Sequence, residues 1–116
     1  MTQLNVVWGT CGDDGHWCNF KNLNLDSDSF KSKKGVYIIW SAGDTVVRVG
    51  SGLIKDRIAD HRNNPDITSY KNLLVTWAKV NENQMEGVEK FLADTYVPEV
   101  GERFPNRTPI SVNLPW

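Results

Sequence analysis

The clearest hydrophobic pattern in the chain begins at residue 35. Val36-Tyr37-Ile38-Ile39-Trp40 is β-branched and aromatic, Ser41-Ala42-Gly43-Asp44 has turn chemistry, and Thr45-Val46-Val47-Arg48-Val49 is β-branched again. Such a sequence predicts a β-hairpin. Beyond Gly50-Ser51-Gly52 the spacing changes. Ile54, Arg57, Ile58 and His61 recur at helical offsets within residues 53–62, and Asn63-Asn64-Pro65 ends that helix. Residues 73–80, apolar at both parities, read as a third and central strand. A second helix is predicted from about Gln84 to Tyr96, with Val88, Phe91, Leu92 and Thr95 as its core stripe and Pro98 just beyond its end. The order strand, strand, helix, strand, helix predicts a small α/β sandwich, a three-stranded, mainly antiparallel sheet flanked by helices.

The flanks carry weaker periodicity. Residues 1–34 read as an irregular wrap in which Val6-Val7-Trp8 suits a short strand, and residues 99–116 as a tail packing through Phe104, Ile110, Leu114 and Trp116. At 116 residues the chain has room for one hydrophobic core, so one domain is expected over 1–116, with residues 35–98 as its centre. Forty per cent apolar residues, five of them tryptophan, exclude a disordered chain.

Charge narrows the partners. Thirteen Lys and Arg against fourteen Asp and Glu leave a net charge of −1, so the whole molecule has no drive towards polyanions. Nucleic-acid contact therefore requires a local patch, for which Lys31 to Lys34 and the set Arg48, Lys55, Arg57, His61 and Arg62 are the candidates. With no basic-then-apolar start and no long apolar run, a cytoplasmic protein without a membrane partner is expected. Cys11, His16 and Cys18 lie within eight residues. Zinc there lacks a fourth ligand, and the competing reading is a plain loop with reduced thiols.

Four pieces of the centre, taken in order, resemble a known family. Gly35-Val36-Tyr37 is similar to the first element of the GIY-YIG nucleases, and Arg48-Val49-Gly50 stands where the second belongs on the paired strand. Residues 53–61 resemble the family's helix, with Arg57 and, four residues on, His61; Glu89-Lys90-Phe91-Leu92 and the later Pro98 resemble its acidic helix. The resemblance implies a metal-dependent endonuclease acting on DNA, with tyrosine, arginine and glutamate in the roles taken here by Tyr37, Arg57 and Glu89.

Elementary chemistry assigns these side chains compatible parts. Phosphodiester hydrolysis needs an activated water, counter-charge for the developing oxyanion, and help for the leaving alkoxide. Glu89 is the candidate ligand for Mg²⁺ or Mn²⁺, completed by water and phosphate oxygens. Arg57 offers a planar, permanently charged fork for phosphate, His61 a proton acceptor or donor near neutral pH, and Tyr37 a phenol to orient or deprotonate water. Arg48, Lys55 and Arg62 are candidate phosphate contacts.

The same residues have plainer roles open to them. Tyr37 suits a packing aromatic, Arg57 a partner for Asp56 or Asp60, His61 a cap for its helix end, and Glu89 a partner for Lys90 or Arg103.

Departures from the family pattern divide the readings. Arg48 replaces the second tyrosine, the connection from Gly50 to Arg57 is slightly short, and both Asn106 and Asn113 compete as the late asparagine. Arg48 either clamps phosphate in a working enzyme or marks a nucleic-acid-binding module that does not cut. A third reading is a protein-interaction domain using Trp8, Trp17, Trp40 and Trp116. No groove-reading element accompanies the centre, so specificity is expected from nucleic-acid shape or a protein partner.

Overall fold

A computed structural model describes residues 3–43, 45–101 and 107–116. Its sheet has four strands rather than three: β1 (Cys18–Asn19), β2 (Lys34–Ser41), β3 (Thr45–Leu53) and β4 (Leu73–Lys79), in spatial order β1-β4-β2-β3 with every neighbouring pair antiparallel. The extra strand comes from the wrap. Cys18 and Asn19 pair with Val75 and Leu74 and close the outer edge of β4. Two residues are too few to show an alternating pattern, which is why this strand has no sequence signal. Val6-Val7-Trp8 forms no strand; instead Leu4 makes a parallel bridge to Val112.

The sheet separates two apolar layers. Tyr37 and Ile39 face one side with Ile54 and Ile58 of helix α1 (Ile54–Arg62), while Val36, Ile38 and Trp40 face the other with Val88 and Leu92 of helix α2 (Glu82–Tyr96). Strand β2 is thus buried on both faces, and its apolar run reflects this. A single helical turn, Pro65–Thr68, follows α1, its start capped by the Asn64 side chain accepting from the Asp66 amide. Helix α2 spans Glu82–Tyr96, beginning slightly before its expected start. Its inner face holds Gly87, Val88, Glu89, Leu92 and Ala93, whereas Thr95, expected in the core, is exposed. Glu89 therefore occupies a core-facing position that an apolar-stripe reading gives to a hydrophobic residue.

The tail closes the molecule. Ile110 packs against α2, the amides of Glu99 and Val100 donate to the carbonyls of Val46 and Val47 on the edge strand β3, and Asn113 exchanges two hydrogen bonds with the backbone of Val6. Phe104, Arg103 and Asn106 lie outside the described residues. Trp116 is half-exposed and packs on Trp40 and Tyr96, while Trp40 itself is buried in the core.

The expectation of reduced thiols in this loop fails. Cys11 and Cys18 form a disulfide, because the turn containing Gly12 and Gly15 folds back through the Cys11–His16 bridge and brings their Cα atoms to 5.2 Å. His16 turns instead to the Asp14 carboxylate at 2.6 Å. No helix among the described residues is long and apolar enough to cross a membrane.

Closing a loop this short by a disulfide contributes about 2.5 kcal/mol by restricting the unfolded chain. Paired Cys11→Ala and Cys18→Ala substitutions should lower unfolding stability by about that amount, and a reductant should do the same to the native protein. Urea titrations with and without reductant, together with thiol counting, test this; an unchanged midpoint alongside two free thiols would contradict it.

Candidate active site

The edge strand β3 supplies a template for the site. Pairing puts Tyr37 opposite Gly50, Val36 opposite Ser51 and Gly35 opposite Gly52. Residues opposite one another share a sheet face, so Arg48, Gly50 and Gly52 lie on the α1 side, and Val49 and Ser51 on the α2 side.

Gly50 has a steric reason. A Cβ there would fall 2.1 Å from the Tyr37 hydroxyl, so the ring crosses the neighbouring strand only because that position is bare. Gly52 has a conformational reason as well, since its φ of +126° disfavours side chains, and an added Cβ would meet Arg57 Nε at 3.1 Å.

Helix α1 supplies the next two groups. Arg57 and His61, one turn apart, lie on the flank of the seam made by Ile54 and Ile58. His61 Nε2 and the Tyr37 hydroxyl are 2.6 Å apart, a short hydrogen bond between α1 and β2. From the opposite face α2 contributes Glu89, a carboxylate only 7 % exposed whose Oε1 accepts from Ser51 Oγ at 2.6 Å. It does not pair with Lys90, whose ammonium reaches Asp94. The two faces thus meet across β3.

Electrostatics bind the groups into one cluster. Burial pushes the Tyr37 phenol above its ordinary pKa, the positive charge of Arg48 pulls it back, Glu89 adds to the rise and Arg57 opposes it. His61 is pushed down to about 4, first by burial and then by the positive charges of Arg48 and Arg57, with Asp60 opposing them. Burial raises Glu89, against the Ser51 hydrogen bond and the two arginines, with Glu86 adding to the rise. Tyr37, Arg48, Arg57, His61 and Glu89 therefore each feel at least two others. With the imidazole neutral and its Nε2 unprotonated, the phenol's hydrogen is donated to His61.

Lys55 and Arg62 stand apart. Lys55 is exposed and pairs with Asp26 at 3.2 Å. The Arg62 guanidinium donates to the carbonyls of Phe20 and Leu23 and lies over the Phe20 ring, so it fastens the wrap to α1. Asn113 is engaged with Val6, far in function from this cluster. Ser51, missed in the sequence reading, had one available signal: a small polar residue between two glycines on a strand that turns out to be an edge.

A divalent cation is compatible with Glu89 under one condition. Among the described residues no three His, Cys, Asp or Glu side chains gather to hold a metal. Glu89 would then be the protein's carboxylate ligand, with water and phosphate oxygens supplying the rest, a hard-oxygen donor set suited to Mg²⁺ or Mn²⁺. Arg48 and Arg57 oppose a cation at this position until a phosphate offsets their charge.

The chain matches no family model, no curated protein and no solved structure.

The half-buried imidazole has a stability consequence. His61 takes a proton near 6.5 when unfolded but only at about 4 when folded. Its contribution is therefore complete above pH 6.5 and is lost as pH falls towards 4, because the unfolded chain binds the extra proton. Replacing His61 by Asn should flatten this part of the stability profile. Denaturation midpoints measured between pH 7 and 4.5 for both proteins test it, and parallel profiles would remove the neutral half-buried imidazole.

Proposed function

We propose that this chain is a GIY-YIG-type nuclease domain that hydrolyses nucleic-acid phosphodiesters, DNA in the first instance, with Mg²⁺ or Mn²⁺ at Glu89. The observation that carries this reading is the Tyr37–His61 hydrogen bond of 2.6 Å, set in one electrostatic cluster with Arg48, Arg57 and Glu89. The four sequence pieces that suggested the family supply these groups from β2, β3, α1 and α2.

Arg57 is exposed and placed to meet an incoming phosphate; Arg48, half-buried beside the phenol, adds a second positive charge. Arrival of the anion has a consequence for His61. Arg48 and Arg57 hold the imidazole's pKa low, so a phosphate that offsets their charge makes it a better base. Tyr37 then acts as a relay: it takes a proton from the attacking water while passing its own to His61 Nε2, which ends as imidazolium. Glu89 would hold the cation, whose contribution would be charge stabilisation of the phosphoryl oxygens. Specificity then comes from nucleic-acid shape or a protein partner.

A binding module that does not cut is favoured by one feature, the Arg48 cation close to both Tyr37 and Glu89. Cleavage assays with Mg²⁺ and Mn²⁺ on single-stranded, duplex and branched DNA separate the two. A working enzyme should lose cleavage in Glu89→Gln, and Arg57→Ala should reduce kcat by about 100-fold or more. Arg48→Ala should weaken binding and lower its salt slope by about one, while Arg48→Tyr keeps or gains cleavage. Salt-sensitive binding with no turnover on any substrate would establish the binding module, and cleavage that survives Glu89→Gln would remove Glu89 from the chemistry.

A further inference from the structure

We propose that Ser51 is a positioning residue, aiming Glu89 at the cation and phosphate it serves; the inference rests on the nuclease reading above. A carboxylate as buried as Glu89 must be hydrogen-bonded to remain in place. Its Oε1 is held by Ser51 Oγ at 2.6 Å. Fixing one oxygen fixes the plane of the carboxylate and hence the direction in which Oε2 is presented.

The donor's location makes this control precise. Ser51 has two neighbours with parallel tasks, Gly50 beneath the Tyr37 hydroxyl and Gly52 beneath Arg57. Three successive residues of one strand therefore set the positions of groups arriving from β2, α2 and α1. A strand is a stiffer support than a loop, and a short side chain such as serine has one rotor to fix. Ser51 faces the α2 layer, across the sheet from Arg48 and Arg57, so it can hold Glu89 without competing for phosphate.

A purely structural hydrogen bond would affect folding alone, which gives the two roles different signatures. Mn²⁺ binding to the full chain, measured by calorimetry with inorganic phosphate present, is a readout independent of turnover. Ser51→Ala should weaken Mn²⁺ by about tenfold or more, the usual size of an effect on a residue that orients a metal ligand. It should also lower kcat while leaving KM for DNA nearly unchanged. Ser51→Thr retains the hydroxyl on a β-branched side chain suited to a strand, and should restore both. Ser51→Cys keeps the volume with a weak donor, and replaces the alanine variant if that protein does not fold.

Native Mn²⁺ affinity and kcat in folded Ser51→Ala or Ser51→Cys would overturn the positioning role while leaving the nuclease reading intact. Absence of Mn²⁺ binding in the unsubstituted protein, with phosphate present and no cleavage, would remove the nuclease reading and this role with it.

Discussion

Everything in the candidate site depends on a phenol crossing a glycine. Tyr37 is fully buried in β2, yet its hydroxyl reaches over β3 because Gly50 offers no Cβ to block it. That reach brings the hydroxyl to His61 on α1 and to Arg48 on β3. The same residue thus belongs to the apolar layer by its ring and to the cluster by its oxygen. A core aromatic with a polar end must find partners for that end, and here one of them is His61, an ionisable group whose own pKa is pushed down. Packing and chemistry are therefore set by the same contact.

A site made in this way has a built-in tension. Burial disfavours charge on Tyr37, His61 and Glu89, and the two arginines modulate each of them. The arginines favour the charged states of Tyr37 and Glu89 but disfavour a charged His61, so the resting cluster settles with the imidazole neutral. An anion beside the arginines would relieve their share of that bias and leave the share due to burial. Clusters whose members push one another's pKa values apart are a recurrent mark of functional sites, although structural networks show them too. In this chain the cluster is confined to one sheet edge, where an incoming ligand can reach the exposed Arg57.

The sequence made the centre legible because its periodicities are physical necessities. A strand buried on both faces must read as Val36-Tyr37-Ile38-Ile39-Trp40, and a short helix laid on the sheet must repeat Ile54 and Ile58 at one turn. The wrap was opaque for the opposite reason. Cys18 and Asn19 enter the sheet through backbone pairing and a disulfide, neither of which requires an alternating pattern. Arg62 shows the limit for charges: its neighbours in sequence suggest a phosphate contact, whereas carbonyls of Phe20 and Leu23, some forty residues away, take its donors.

Glu89 and Ser51 illustrate why a site can be half legible. Within α2, Glu89 sits among Val88, Leu92 and Ala93 on the inner face, and a carboxylate in that company is costly unless something holds it. The helix alone reveals the cost but not the compensation. Ser51 lies on another element, and only the pairing of Val36 with Ser51 fixes which way its hydroxyl points. Burying an acid against the core and then anchoring one of its oxygens is a poor route to stability, since a hydrophobic residue there would pack without the desolvation cost. On the proposed nuclease reading its use lies in the other oxygen, at the edge where Tyr37, Arg48 and Arg57 gather.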